Sequence, residues 1–169
     1  SGSAPFISKL ATSRSLPDVI YAVSSDGVFK SVNFGGSWEL TPINQFWSAS
    51  SYTFLDVEVS RANANIVWAG SGISNTRRLH VSTDQGVTFE PTSNFDMSMG
   101  TITKIATHPT EPNTAYALFS FAQSPKILKT EDLGQTWTDI SGFGVNSSSS
   151  NGFPDVAVYC LYVRPDDPN

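Results

Sequence analysis

Residues 82–89 read STDQGVTF, and the stretches TEDLGQTW at 130–137 and SVNFGGSW at 31–38 follow the same pattern. All three fit Ser/Thr-x-Asp-x-Gly-x-Thr-aromatic, with Asn33 in the Asp position and Ser37 in the Thr position of the first copy. One match is a weak signal, whereas three at a regular spacing indicate a repeat. The motif positions are Ser31, Asn33, Gly35, Trp38, Ser82, Asp84, Gly86, Phe89, Thr130, Asp132, Gly134 and Trp137.

The motif is typical of a tight turn between two strands. A side-chain oxygen of Asp or Asn accepts backbone N–H groups across such a turn, and Gly supplies the positive φ that the reversal needs. The aromatic residue then returns into the core. Because turn chemistry explains every motif position, we predict a structural role for the motif, and not catalysis by Asp84 or Asp132.

Two further sets of positions recur in the same register. The first set is aliphatic: Leu10, Val57, Ile105 and Leu161. The second set is aromatic and followed by Ala: Tyr21, Trp68 and Tyr116. Both sets are spaced by 47 and then 48 residues, and the longer last interval of 56 residues indicates a loop insertion in the Ser-rich stretch 145–152. A period of roughly 40 to 50 residues is typical of four-stranded propeller blades.

Apolar alternation bounded by Gly and Pro predicts four strands in each repeat, named A to D in chain order. Strands A and B are predicted at 7–12 and 18–23, 54–59 and 65–70, and 101–107 and 113–119. Strands C and D are predicted at 27–31 and 37–41, 78–82 and 88–90, and 126–130 and 136–140, with one more A strand at 158–163. No segment has a helical period.

The sequence therefore predicts an all-β fold, a partial β-propeller of four-stranded antiparallel blades over residues 1–169. Blade 1 is predicted at about 7–41, blade 2 at about 54–91, blade 3 at about 101–141, and the start of blade 4 at about 158–169. A closed propeller needs at least four blades, so blade surfaces would stay unpaired. We expect the partner to be the remaining blades of the same protein, or another chain that completes the propeller.

The motifs resemble the Asp-box, or BNR, repeats of sialidases, sortilin-type receptor domains, photosystem assembly factors and xyloglucan-active hydrolases. The segments GVFKS at 27–31 and TEPN at 110–113 are most similar to the sortilin-like (VPS10-like) and xyloglucanase-like branches. The resemblance covers nearly the whole chain and implies a β-propeller from a longer secreted protein. It implies no single function, because this superfamily hosts unrelated ones. The three motifs are called Asp boxes below.

Four-stranded blades sort their connections into two faces. The C–D and A–B turns lie on one face, here the Asp-box face, and the D–A and B–C connections lie on the other, here the loop face. The resemblance implies a ligand on the loop face or in the channel. Residues there that could stack on a sugar or contact a protein are Phe46, Trp47, Arg77, Arg78 and Phe95, with Trp47 the main candidate. The alternative is that these aromatic residues seal the seams between blades.

The inner A strands carry the charged residues that bear on catalysis. Lys9, Asp56 and Lys104 share one aligned position, and Glu58 lies two residues beyond Asp56. We predict ion pairs between blades, with a catalytic carboxylate pair as the alternative. Asp56 and Glu58 are the only acids to test for hydrolysis, and no other catalytic residue is predicted.

Other site classes lack a matching set of residues. A sialidase needs an arginine cluster, whereas Arg14, Arg61 and Arg164 lie at A–B turns and no three converge from separate A strands. His80 and His108 lie on a C strand and an A–B turn, so we expect solvated or capping roles and neither a metal site nor a cofactor. Cys160 is the only cysteine, which excludes an internal disulfide, and we expect it to be buried.

Composition limits the remaining classes. With 39% hydrophobic residues, 15% charged residues and a net charge of −5, the 169-residue chain suits a soluble globular protein. Basic residues cluster only at Arg77 and Arg78, so neither nucleic acid nor membrane insertion is expected. Few Lys and Arg beside many Ser, Thr, Asn and aromatic residues favour a secreted or cell-surface protein, with a bacterial source expected.

Two functions remain. The first is a non-catalytic binding or structural propeller segment that contacts protein, peptide or glycan through the loop face. The alternative is part of a polysaccharide-active glycoside hydrolase that resembles the xyloglucanases.

Overall fold

Three antiparallel sheets follow one another along the chain in a computed structural model that describes residues 6–47, 54–143 and 152–165. We call these sheets blades 1 to 3. Blade 1 has the order β1 (Ile7–Ser13), β2 (Leu16–Ser24), β3 (Gly27–Ser31) and β4 (Glu39–Pro42). Blade 2 contains β5 (Asp56–Val59), β6 (Val67–Gly70), β8 (His80–Ser82) and β9 (Glu90–Pro91). Blade 3 contains β10 (Gly100–Thr107), β11 (Ala115–Phe119), β12 (Ile127–Thr130) and β13 (Thr138–Asp139).

A short strand that the sequence did not predict links blades 2 and 3. Strand β7 (Gly72–Ile73) lies in the B–C connection of blade 2 and pairs with the start of β10, Ile73 opposite Gly100 and Gly72 opposite Thr101. A side chain on Gly72 would collide with the Gly100 carbonyl, so this close backbone approach needs glycine. The seam between these two blades is therefore held by backbone pairing as well as by side chains.

Apolar side chains fill the seams between neighbouring blades. The seam between blades 1 and 2 buries Tyr21 and Val23 against Val57 and Val67. The seam between blades 2 and 3 is built mainly by Trp68, Leu79, Met99, Ile102, Ile105, Phe119, Leu128 and Trp137. In both seams one face of a blade packs on the opposite face of the next, as two-residue alternation along each strand requires.

Blade 1 leaves its other face exposed. Leu10 is 58% exposed, whereas Val57 and Ile105, at the same repeat position, are both 0% exposed. Trp38 is exposed as well, whereas its counterpart Trp137 is buried. Since burial at this position comes from the preceding blade, the surface of blade 1 is shaped like the contact face of a seam.

The sequence predicted an A strand at 158–163, and this prediction is wrong. Residues 158–163 pair with no other strand in the described part of the chain. The segment nevertheless packs on blade 3. Val158 is buried beside Tyr116 and Leu118, and its amide donates to the Phe119 carbonyl at 3.3 Å. A ladder needs a second strand alongside the first, and none of the described residues supplies one on its outer side.

Candidate functional site

The Asp box of blade 2 holds its turn through one serine and one aspartate. The Ser82 hydroxyl accepts the Gly86 amide at 2.7 Å and donates to the Asp84 carboxylate at 2.7 Å. The same carboxylate accepts the Thr88 amide at 2.9 Å and the Thr88 hydroxyl at 2.7 Å. Asp84 is thus engaged with its own turn.

The other two boxes have the same geometry. Asp132 accepts the Thr136 amide at 2.9 Å and the Thr136 hydroxyl at 2.6 Å. In blade 1, Asn33 accepts the Ser37 amide at 2.8 Å, and its side-chain nitrogen donates to the Ser37 hydroxyl at 3.0 Å. An amide therefore makes the same two contacts as a carboxylate, which explains how Asn33 fits the motif.

The residue before the glycine of each Asp box also has a left-handed backbone conformation, which the sequence did not predict. Phe34, Gln85 and Leu133 have φ of 56°, 60° and 59°. Their amides donate to carbonyls at or just before the start of the second strand of each blade, from Phe34 to Asp18 at 3.1 Å, from Gln85 to Asn65 at 2.9 Å and from Leu133 to Asn113 at 3.1 Å. This hydrogen bond docks each box onto its own blade and offsets the cost of a positive φ outside glycine.

Hydrogen bonding sets the charge state of the box aspartates. The Thr88 amide is the largest of several hydrogen-bond donors that lower the pKa of Asp84 to about 2. The Thr136 hydroxyl likewise lowers the pKa of Asp132. A general acid works best with a pKa near the working pH, so these carboxylates are poorly suited to proton donation.

The boxes also contact the preceding blade. The Thr41 hydroxyl of blade 1 donates to the Gly86 carbonyl at 2.7 Å, and the Ser93 amide of blade 2 donates to the Gly134 carbonyl at 2.8 Å. The Asp boxes of blades 2 and 3 are therefore parts of the seams.

The ion pairs predicted on the inner strands are confirmed. Lys9 pairs with Asp56 across the seam of blades 1 and 2. Asp56, which is buried, also accepts the Ile105 amide of blade 3. The Lys104 ammonium lies 2.8 Å from the Glu58 carboxylate. Burial disfavours the charged form of Lys104, but the hydrogen bond and charge of Glu58 outweigh it and raise the pKa of Lys104. Both acids thus connect blades.

On the loop face, Phe46 is the most exposed of the predicted contact residues. Its ring is 41% exposed, its φ is 53°, and the Arg78 guanidinium lies 4.8 Å from the ring centroid. The Arg78 amide donates to the Phe46 carbonyl at 3.0 Å, so backbone and side chain hold the pair together. Arg77 is half-buried, and Phe95 is half-buried against the core of the seam between blades 2 and 3.

The prediction that Trp47 is an exposed ligand contact is wrong. Its side chain is only 9% exposed, and its indole N–H donates to the Ser24 carbonyl at 3.2 Å. The ring meets His80 edge-on, with centroids 5.5 Å apart. Trp47 seals the seam of blades 1 and 2, because burying an indole is favourable when its N–H finds an acceptor.

Two other expectations need correction, and one agrees with the structure. His80 is buried, not solvated, with Nε2 2.9 Å from the Gln45 carbonyl, and burial lowers its pKa. Cys160 is exposed, not buried, because it alternates with Leu161 and Val163, which pack against blade 3. The His108 Nδ1 accepts the Glu111 amide at 3.0 Å, which is a capping role within the turn.

Sequence reasoning missed a buried lysine on the loop face. The Lys126 side chain is fully buried and its ammonium lies 2.6 Å from Asp155, in the segment after blade 3. It also donates to the Phe121 carbonyl and lies 4.8 Å from the Phe143 ring centroid. No signal in a single sequence distinguishes this lysine from a solvated one.

Two kinds of feature are absent from the described residues. No group of three or more His, Cys, Asp or Glu side chains there is placed to hold a metal ion. No helix in the same residues has the length and apolarity to span a membrane.

Comparison with known proteins places the architecture. No family model matches the sequence, and neither does any curated protein. Among solved structures, a GH74 enzyme from Niastella koreensis matches with a TM-score of 0.65 and 19% identity over 79% of this chain and 22% of that one. The GH74 xyloglucanase from Xanthomonas campestris matches with 0.63 and 15% identity, over 80% and 23%. The fold is a β-propeller.

A third propeller comes from a different functional context. YCF48 bound to D1 peptide matches with a TM-score of 0.59 and 16% identity over 85% of this chain and 43% of that one. The chain thus spans less than half the length of each of these structures. At such identities the similarity concerns the fold alone.

Proposed function

We propose that this chain is a non-catalytic binding segment of a β-propeller, which contacts a protein, peptide or glycan through its loop face. The observation that carries this proposal is that both inner-strand acids are engaged, Asp56 by Lys9 and the Ile105 amide, and Glu58 by Lys104. Glycoside hydrolysis needs one acid that donates a proton and a second that acts as base or nucleophile. Acids that are already engaged by lysines fit structural ion pairs better.

The stacked pair of Phe46 and Arg78 is the contact surface of this proposal. The Arg78 guanidinium lies on one side of the Phe46 ring. The rest of this exposed ring, including its edge, is accessible to a ligand, as contacts with a sugar or a peptide require. Structural similarity to YCF48 bound to D1 peptide supports a propeller with a peptide ligand, and similarity to GH74 enzymes supports a glycan.

The proposal extends to assembly and location. The exposed seam-like face of blade 1, marked by Leu10, supports completion by further blades of the same protein or by another chain. The composition supports an exported or cell-surface protein of bacterial source.

A glycan array and a peptide array, probed with the full-length protein, test the proposal. We expect retention of a ligand without cleavage, weakened about thirtyfold by Phe46→Ala, since losing an aromatic anchor costs on the order of 2 kcal/mol. Phe34→Ala is the matched control, because Phe34 is exposed on the Asp-box face and also has a positive φ. Equal weakening by both variants would contradict binding through the loop face.

A glycoside hydrolase is the second candidate, favoured by the similarity to two GH74 structures. Release of reducing sugar from xyloglucan by the full-length protein, lost in Asp56→Asn and in Glu58→Gln while the melting temperature is retained, would establish it. Release that survives both substitutions would exclude these two acids as catalysts.

A further inference from the structure

An open cavity lies on the Asp-box face, opposite to the surface proposed above. One part, of about 610 Å³, lies between the A–B turns of blades 1 and 2 and is lined by Arg14, Ser60 and Arg61. An adjoining part, of about 500 Å³, is lined by the same two arginines and by Lys104 and Tyr162. Because both parts share Arg14, Glu58 and Arg61, they form one groove across the inner ends of the blades.

The two arginines occupy the same position of the repeat. Arg14 lies four residues after Leu10, and Arg61 lies four residues after Val57. In blade 3 the corresponding residue is Pro109, which lines the same groove. Since the turn accepts proline there, the fold does not need arginine, and neighbouring blades nevertheless place an exposed guanidinium on either side of the groove.

The described residues that line the groove carry an excess of positive charge. Among them the one carboxylate, Glu58, is paired with Lys104, whereas no described carboxylate pairs with Arg14 or Arg61. Arg61 is already oriented, because it donates to the Val163 carbonyl at 3.0 Å and its guanidinium lies 5.4 Å from the Tyr162 ring centroid. Two arginine forks against one neutralised acid suit a ligand with an oxyanion group.

We propose that this groove binds an acidic saccharide, with a uronate carboxylate between Arg14 and Arg61. The remaining lining favours a sugar over a bare anion. Ser13 and Ser15 line the same part of the groove as Arg14, and their hydroxyl groups match the hydroxyls of a pyranose. The exposed Tyr162 ring offers a stacking surface beside Arg61. The groove volume suits one or two sugar rings.

Calorimetric titration of the chain with trigalacturonate tests this inference, with the neutral methyl ester of the same trimer as the matched ligand. We expect binding of the acid and at least about tenfold weaker binding of the ester, because the ester keeps the hydroxyls and loses the charge. Arg14→Gln and Arg61→Gln should each weaken the acid by about tenfold or more.

Lys30→Gln is the control variant, since Lys30 lies in β3 of blade 1 and does not line the groove. Circular dichroism checks that each variant folds. Arg14→Pro is a second variant at this position, because proline is the residue that blade 3 carries there. Equal binding of acid and ester, equal weakening by Lys30→Gln, or no binding of the trimer would overturn the proposal. Inorganic phosphate or sulfate that binds as tightly as the trimer would overturn its saccharide part, and none of these results bears on Phe46.

Discussion

The Tyr21 hydroxyl of blade 1 donates to the Gln85 carbonyl of blade 2 at 3.0 Å. Gln85 is the left-handed residue of its Asp box, so one hydrogen bond joins the aromatic position of one repeat to the turn of the next. Burial, followed by the charge of Asp84, raises the pKa of Tyr21 to about 12. The tyrosine therefore stays protonated and able to donate throughout the physiological range.

Tyr21→Phe removes this donor and leaves the packing of the ring in place. We expect a loss of about 1 kcal/mol in the free energy of unfolding, the usual net worth of one hydrogen bond. Urea unfolding at neutral pH measures it. Tyr116→Phe, at the same repeat position, is the control, because no described residue accepts a hydrogen bond from the Tyr116 hydroxyl. Equal losses in the two variants would show that the bond to Gln85 contributes nothing.

The box glycines differ in the space around them, which makes Gly134 and Gly35 an informative pair. Both have positive φ, 81° and 88°. A Cβ on Gly134 would lie closest to the Thr92 Cγ2 and 2.7 Å from the Thr92 Cβ, whereas the nearest atom to a Cβ on Gly35 is 3.6 Å away in Trp38. We expect Gly35→Ala to cost about 1 kcal/mol through backbone strain, and Gly134→Ala to cost roughly 1–3 kcal/mol more through overpacking of the seam.

Thermal or urea unfolding of the two variants measures this difference. Thr92→Ala in the Gly134→Ala background should restore part of the loss, because it removes side-chain atoms that meet the new methyl group. Similar losses of stability in Gly35→Ala and Gly134→Ala would mean that the seam accommodates the extra methyl group without overpacking.

The regular part of this structure was predictable, because it depends on local chemistry. Strand β3 (Gly27–Ser31) was found where it was predicted, and the Asp84 and Asp132 contacts are those that a side-chain-capped turn makes. These features follow from residues within a few positions of one another, and repetition at the blade period makes them recognisable.

The remaining features depend on residues that are distant in sequence. Trp47 has its acceptor at Ser24, and Lys126 has its carboxylate at Asp155. A single sequence gives the face on which a strand residue lies, but it does not give the partner across a seam. The groove between Arg14 and Arg61 was missed for the same reason, since the two arginines were assigned to separate turns.

Asp84 should make the stability of the protein depend on acid pH. Its pKa of about 2 in the folded state lies below the value of about 3.9 in an unfolded chain. A lowered folded-state pKa gives stability that is complete above the unfolded value and lost as the pH falls towards 2. Because the carboxylate is mostly exposed, solvent screening limits this contribution to roughly 1 kcal/mol.

Asp84→Asn should remove that part of the pH dependence and cost little near pH 7, since Asn33 makes the same two contacts in blade 1. Asn33→Asp should add a comparable dependence. Unfolding by urea at pH 7, 4 and 2.5 compares the three proteins. An unchanged slope in Asp84→Asn between pH 4 and 2.5 would contradict the assignment.

The ion pair of Lys126 and Asp155 should hold residues 152–165 on blade 3. The Asp155 carboxylate accepts hydrogen bonds from the buried Lys126 ammonium at 2.6 Å and from the Gln123 amide at 3.1 Å. Asp155→Asn leaves a buried cation without its counter-charge, which is unfavourable. We expect the Val158 amide to exchange with solvent about tenfold faster in hydrogen-exchange measurements.

Glu131→Gln is the matched control, because it breaks a surface pair with Lys129 in the same blade, where such pairs contribute little. The double variant Lys126→Met and Asp155→Asn should recover most of the protection of Val158, because it leaves no buried charge and fills the lysine site with an apolar chain. If exchange in the double variant remains as fast as in Asp155→Asn, the segment is held by the carboxylate contact to Gln123 and not by charge neutralisation of Lys126.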